Sequence, residues 1–401
     1  MEVSSYSAAS VYDALMNPTT ELTAPFSLPT AVQRLIATRE TRLSHLEGCL
    51  FLPHDHNAQV SIAYSETIPH VLVVGDAVSL ETMKAGLANA GIRALPSSEQ
   101  ILRLKDSLHS ISTSFKSITI SLSPGLFLPL WVASLLLDLH NIYTEQCQWR
   151  RALRWVKRTA VENTAIMELL HQELGKSFQS LCVSMPVQGL LISSSSASTF
   201  PINSVDPTCL LSDEWLSNFN IDPLIRLINR FAESETMSIR ALTLAETTGL
   251  YDASIGTSPK APGSLASLEH DIQRGHITRV LAPVFVHGNH FTLFSIEQTF
   301  SYADSLDASA HPPLLLLHAL RGWAQRVVSG KLWVEAHKAL TVPAQNDMSS
   351  CGVVVLSTIA AIILGLPCWS QQNANMFRIF WFTWSANSKF KKVKWLCQAT
   401  R

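Results

Sequence analysis

No two cysteines in the sequence stand as a CxxC pair. The seven that occur are scattered at Cys49, Cys147, Cys182, Cys209, Cys351, Cys368 and Cys397. An odd, dispersed set argues against a zinc site and against a disulfide framework, and predicts reduced thiols in an intracellular protein. Long apolar runs are also missing. The longest, Leu126–Leu137 and Gly352–Leu366, fall short of the roughly 20 residues that span a bilayer. The opening MEVSSYSAASVYDALM has no basic segment followed by an apolar core, so no secretory signal is expected. Neither sign of charge is in excess, with 30 basic against 31 acidic residues. That balance gives no pull toward nucleic acid or an anionic membrane surface. No GxGxxG follows the strand-like HVLVVGD at His70–Asp76, which removes the main support for a nucleotide-binding half. No internal repeat is visible.

What remains is a chain of 401 residues, 47% hydrophobic and 15% charged, able to bury a large core in two or three domains. Helical periodicity covers Ala31–Leu46, Ser79–Gly91 and about Leu130–Leu174. In the last of these, Arg150, Arg151, Arg154, Lys157 and Arg158 interleave with Trp149 and Trp155. A solvated basic face with inward tryptophans explains the pattern better than a docking surface. His54 and His56 have no third ligand nearby and form a polar loop rather than a metal site. The Ser-rich stretch Ser193–Thr199 marks a linker, so the boundary is placed near residue 200: a mainly helical region over 1–200 and a second domain over 201–401.

The second half alternates strands and helices. Asp213 is a plausible N-cap of a helix. Arg279–Gly288, His290–Glu297 and Thr299–Leu306 read as strands. Leu314–Gly330 reads as a helix, and Lys331–Leu340 as a strand or an extended connection. Cys351–Gly365 is long and apolar enough for a buried helix, closed by Gly365 and stopped by Pro367. Strands between helices imply an α+β layer structure.

The segment PAQNDMSSCGVVVL, Pro343–Leu356, places a thiol where polar loop becomes apolar helix. The first turn of a helix offers unpaired N–H groups and partial positive charge, both of which favour a thiolate. Gln345, six residues before Cys351, carries an amide N–H₂ able to face a developing oxyanion. Gly352 leaves room for a substrate backbone. His290, at the junction of two strands, could take the thiol proton, and Asp304, at the end of the next, could hold its tautomer.

That order of His, Asp, Gln and Cys-Gly resembles the ubiquitin-like-protein-specific cysteine proteases, the desumoylating and deneddylating enzymes related to the adenovirus protease. The resemblance rests on VFVHGNHFTLFSIE, SYADSL and AQNDMSSCGVVVL and covers about residues 205–401. It implies a papain-like catalytic domain with Cys351 as nucleophile, His290 as base, Asp304 as orienter and Gln345 as oxyanion donor. His287 is a rival base; the register of the family's apolar strand selects His290. The family's upstream Trp-Leu-x-Asp helix start is matched to LLSDEWL, with Leu210 in place of the Trp and Asp213 as its Asp. Phe291 replaces the Trp after the His, and Ser350 the Asp before the Cys. Phe291, Leu210, Asp213, Ser350 and Gly352 are thereby the substrate-side residues. The N-terminal half, with LPLWV and QWRRALRWV, resembles the leader of fungal, transposon-associated relatives.

The resemblance implies a deconjugating thiol peptidase that cleaves after the C-terminal Gly of a ubiquitin-like modifier, in nucleus or cytoplasm. Neither a metal nor an organic cofactor is expected. The alternative is a binding module of mobile-element origin that keeps the fold without turnover.

Overall fold

The computed structural model describes residues 60–64, 96–97, 99–103, 116–120, 127–129, 131–162, 190–191, 202–203, 206–256, 263–297, 299–328, 334–335 and 340–386. The expected elements at Ala31–Leu46, His70–Asp76 and Ser79–Gly91, the His54/His56 loop and the Ser193–Thr199 linker lie outside them. The chain divides into two compact units, residues 1–150 with 182–189, and residues 151–181 with 190–401.

In the first unit, β1 (Val60–Tyr64), β2 (Lys116–Ile120) and β3 (Phe127–Pro129) form an antiparallel sheet in that order. It adds strands to a region expected to be mainly helical; runs this short leave little periodicity to read. Helix α1 spans Trp131–Glu162, and Trp149 and Trp155 on it are buried, as the solvated-face reading requires. From Arg151 onward it belongs to the second unit, which also holds the short pair β4 (Leu190–Leu191) and β5 (Ile202–Asn203).

The second unit is built on a five-stranded mixed sheet. Its strands are β6 (Ile239–Ala241), β7 (Arg279–Val286), β8 (His290–Ile296), β9 (Thr299–Ala303) and β10 (Val334–Glu335), in spatial order β10-β9-β8-β7-β6. β7–β8 and β8–β9 are antiparallel; β6 and β10 pair in parallel at the two edges. All seven residues of β8 are buried, as a central strand covered on both faces must be. Alternation assigns the faces. Val280, Ala282, Val284 and Val286 of β7, with Phe294 and Ile296 of β8, pack in one cluster with residues of α3 (Leu244–Ser254), α4 (Leu265–Gln273) and α5 (Leu314–Val327).

Helix α6 (Cys351–Leu364) packs against β8, β6 and α2 (Asn218–Ser234), outside that cluster. It is apolar around nearly its whole circumference, and such a helix has to be interior. Each fully buried Val, Leu or Ile on it contributes ~1.5–3 kcal/mol relative to exposure. Gly365 ends it at φ 66°, the left-handed cap that an L side chain resists. Helix α7 (Ala374–Ala386) closes this side with Phe377, Phe380 and Trp381 buried.

Polar ties fix the elements that carry the site. Asn229 of α2 accepts from the Ala241 N–H at 2.9 Å and donates to its carbonyl at 2.7 Å, locking α2 to β6. Asp222 of α2 accepts from the Leu244 N–H at 2.7 Å at the start of α3. One expectation is corrected. Helix α2 begins at Asn218 with Ser217 as its cap, not near Asp213, because Asn220 accepts the Ser217 backbone N–H at 2.9 Å. Among the described residues no helix is long and apolar enough to cross a membrane.

The contact between α2 and α6 is tight at Gly352. A Cβ there would lie 3.1 Å from Ile221 Cδ1 and 3.2 Å from Leu216 Cβ. Gly352→Ala is expected to lower stability by about 1 kcal/mol. Overpacking costs ~1–3 kcal/mol, and the better helix propensity of Ala returns up to ~1 kcal/mol. Denaturant unfolding checks this; a variant as stable as the parent would mean that Leu216 and Ile221 yield freely.

Candidate active site

The turn between β7 and β8 puts His290 at the first position of β8, paired with Val286. His287, the rival base, sits in that turn at φ 55°, exposed to solvent. His290 is buried, and its Nε2 lies 2.7 Å from Asp304 Oδ1 just beyond the end of β9. The same carboxylate oxygen accepts the Leu306 N–H at 2.8 Å, an Asx turn that fixes its direction. With Nε2 turned to Asp304, Nδ1 is the ring nitrogen left for a thiol.

Cys351 is the first residue of α6 and only 2% exposed. Burial pushes its thiol above the ordinary value; the backbone N–H groups of Phe291, Gly352 and Cys351 itself oppose the rise, and Asp347 adds to it. The helix start therefore does not by itself deliver a thiolate, as the sequence reading expected, because desolvation outweighs the N–H groups. Phe291, whose N–H opposes that rise, follows His290 directly in the chain. The thiol makes no hydrogen bond to the ring in this structure.

Gln345 is buried, and both ends of its amide are engaged. Oε1 accepts from Ser305 Oγ at 2.7 Å, and Nε2 donates to the Asp347 carbonyl at 2.8 Å. Its backbone N–H donates to the Ser305 carbonyl at 2.9 Å. Gln345 is thus tied to the residue after Asp304 and keeps one amide hydrogen unassigned.

The bend from Gln345 to Cys351 turns on Asp347, which the sequence reading did not single out. Its carboxylate accepts the Ser350 N–H at 2.7 Å, the Ser349 N–H at 2.8 Å, Ser350 Oγ at 2.8 Å and Gln371 Nε2 at 2.9 Å. Burial alone would raise this carboxyl; the hydrogen bonds from Gln371, Ser350 and Ser349 outweigh it and hold the group below its ordinary value. An Asp two residues before a Ser-Ser pair was the available signal.

The expected substrate-side residues fall into two groups. Phe291 is buried beside the thiol and lies against Phe285, ring centroids 4.7 Å apart. The others face inward or elsewhere. Leu210 is buried in a 3₁₀ turn, Asp206–Leu211. Asp213 accepts from Trp155 Nε1 at 2.9 Å and from Arg158 at 2.8 Å, an anchor to α1. Ser350 is buried against Asp347, and the space beside Gly352 is filled by Leu216 and Ile221. Packing or hydrogen bonds within the fold engage all four, although Asp213 stays exposed at the surface.

Trp215 and Leu216 immediately precede the Ser217 cap and Asn218. Trp215 is 44% exposed.

Comparison with known proteins gave no matching family model and no matching curated relative. Solved structures with a similar course include the C-terminal ULP1 protease domain in complex with SMT3, the yeast ortholog of SUMO, at 18% identity and TM-score 0.41, covering 54% of this chain and 95% of that one. Another is the SUMO protease Ulp1 with its catalytic cysteine oxidized to a sulfonic acid, at 16% identity and TM-score 0.42, covering 54% and 95%. A third is a de-sumoylating protease, at 16% identity and TM-score 0.35, covering 50% and 94%. At these values the similarity assigns no role to any residue here.

Because the Asp347 carboxyl is held below its unfolded value, its contribution to stability is present above the ordinary Asp value near ~3.9. It is lost as pH falls through the lower folded value. Asp347→Asn is expected to be less stable than the parent at neutral pH, the gap in denaturation midpoint closing below about pH 4. A gap constant from pH 7 to 3 would contradict the hydrogen-bonding account.

Proposed function

We propose that the second unit is a papain-like thiol peptidase acting on a ubiquitin-like modifier or its conjugates, cleaving after the modifier's C-terminal glycine. The observation that carries the reading is the His290–Asp304 pair at 2.7 Å on neighbouring strands, with the Phe291 N–H set toward a thiol at a helix start.

In the proposed reaction, His290 Nδ1 takes the Cys351 proton as the sulfur attacks the scissile carbonyl carbon. Asp304 holds the ring through Nε2 and offsets its positive charge. The oxyanion would meet the Cys351 N–H, which has no partner within the helix, and the remaining hydrogen of Gln345 Nε2. The leaving amine takes the proton from His290, leaving a thioester. Water, deprotonated by His290, then releases the modifier carboxylate and restores the thiol.

Exposed apolar side chains support an extended peptide as substrate. Trp215 adjoins Leu216, which packs beside Gly352. Phe219 is 80% exposed on the first turn of α2, Met348 is 64% exposed three residues before Cys351, and the half-exposed Phe285 lies tilted against Phe291. The binding-module alternative draws on the raised thiol and the absent thiol–imidazole hydrogen bond; thiol–base contacts are often long before substrate arrives.

A ubiquitin-like modifier carrying a C-terminal electrophile is expected to label the chain at Cys351, and Cys351→Ala and His290→Ala are expected to abolish labelling. With a modifier–fluorophore conjugate, Gln345→Ala is expected to lower kcat about 10²–10³-fold. Modifier binding without labelling or cleavage would establish the binding module instead. Trp215→Ala is expected to raise KM for the conjugate while leaving alkylation of Cys351 by iodoacetamide unchanged. Equal effects on both would make Trp215 scaffold.

A further inference from the structure

The bend that leads into Cys351 is held by a buried cation that the mechanism above does not use. Arg378, in the middle of α7, is 2% exposed. Its hydrogen-bond partners are carbonyls: Nη1 donates to Glu214 at 3.1 Å and Cys209 at 3.3 Å, and Nη2 to Ser349 at 3.2 Å. Those carbonyls belong to two segments far apart in sequence. One carries Cys209 to Glu214 and runs straight into Trp215. The other is the Asp347–Ser350 bend that delivers Cys351. A planar guanidinium with fixed, divergent donors can hold two strands of backbone in one geometry, which a flexible ammonium does less well.

We propose that Arg378 is a positioning residue for Cys351, a buried strut that fixes the nucleophile bend against the Trp215 segment and places positive charge behind the thiol. The charged and titratable groups around it are Asp347 from the bend, Asp213 and Glu214 from the Trp215 segment, Cys209 from the 3₁₀ turn, and Cys351 itself. Asp347 is satisfied by Ser349, Ser350 and Gln371, and Asp213 by Trp155 and Arg158. Neither carboxylate is within ion-pair reach of Arg378, so its charge is not neutralised by direct pairing. Burial lowers the guanidinium's own value, yet an arginine stays protonated in any such site. A buried thiol that must ionise gains from a fixed cation nearby more than it would in water.

The significance of the inference rests on reading Cys351 as the nucleophile, but its test needs no substrate. Alkylation of Cys351 by iodoacetamide is followed across pH by mass spectrometry of the Cys351 peptide, in the full chain and in Arg378→Met, Arg378→Lys and His290→Ala. Arg378→Met is expected to shift the profile about one pH unit toward alkaline, a roughly tenfold loss of rate at neutral pH. Arg378→Lys is expected to recover most of that shift. Superimposable Arg378→Met and parent profiles in folded proteins overturn the proposal. If Arg378→Met does not fold, Arg378→Lys decides: a profile within a few tenths of a pH unit of the parent supports it, and a full alkaline shift overturns it. Failure of both to fold assigns Arg378 to fold stability alone and overturns it too. His290→Ala keeps the outcomes separate. A profile unmoved by loss of His290 contradicts the peptidase reading, whatever Arg378 does.

Discussion

An almost wholly apolar helix must lie inside, and α6 begins with the thiol. That constraint shapes everything around Cys351. The packing that makes α6 stable strips water from the sulfur and raises its ionisation threshold. The helix start returns part of the loss through N–H groups, but only part. If Cys351 is the nucleophile, as proposed, it needs help from groups brought in by other elements, and the second unit holds the candidates: His290 on β8, Asp304 after β9, Gln345 and the Asp347 bend ahead of the helix, and Arg378 on α7.

These parts are coupled by hydrogen bonds rather than merely adjacent. Gln345 is bound to Ser305, next to Asp304, which ties these two candidate residues to one another. Its amide also grips the Asp347 carbonyl, and the Asp347 side chain sets the turn into Cys351. Gly352 lets α2 approach the same helix turn, and α2 starts just after Trp215. The exposed indole is thereby referenced to the nucleophile through two residues of packing. A deformation of any one tie would be felt at the sulfur as geometry, not only as stability.

Much of this was legible in residues whose meaning is local. The Cys351–Leu364 helix with its Gly365 cap, the strands on both sides of His290 and the spacing from Gln345 to Cys351 follow from periodicity and turn chemistry, and the structure places those elements there. The β1–β2–β3 sheet was not read, because β1 and β2 are far apart in sequence and their pairing leaves no local signal. The start of α2 was misjudged because Asp213 is as good a cap by type as Ser217; only the return bond from Asn220 decides between them. Asp213, Leu210, Ser350 and Gly352 pointed toward substrate in the sequence, and the fold gives them internal partners, since long-range neighbours such as Trp155 and Ile221 cannot be read from nearby residues. Arg378 carried no signal at all: one charge in an aromatic helix, given meaning by three distant carbonyls.

The central claim is that His290 receives the proton of Cys351, although no hydrogen bond joins them at rest. It is tested most directly by the distance between Cys351 Sγ and His290 Nδ1 in a crystal structure of the Cys351–acetamide adduct. The account places Nδ1 within about 4 Å of the sulfur, with Nε2 still on Asp304. A ring more than about 6 Å away, with no shift of the β7–β8 turn able to close the gap, would contradict it.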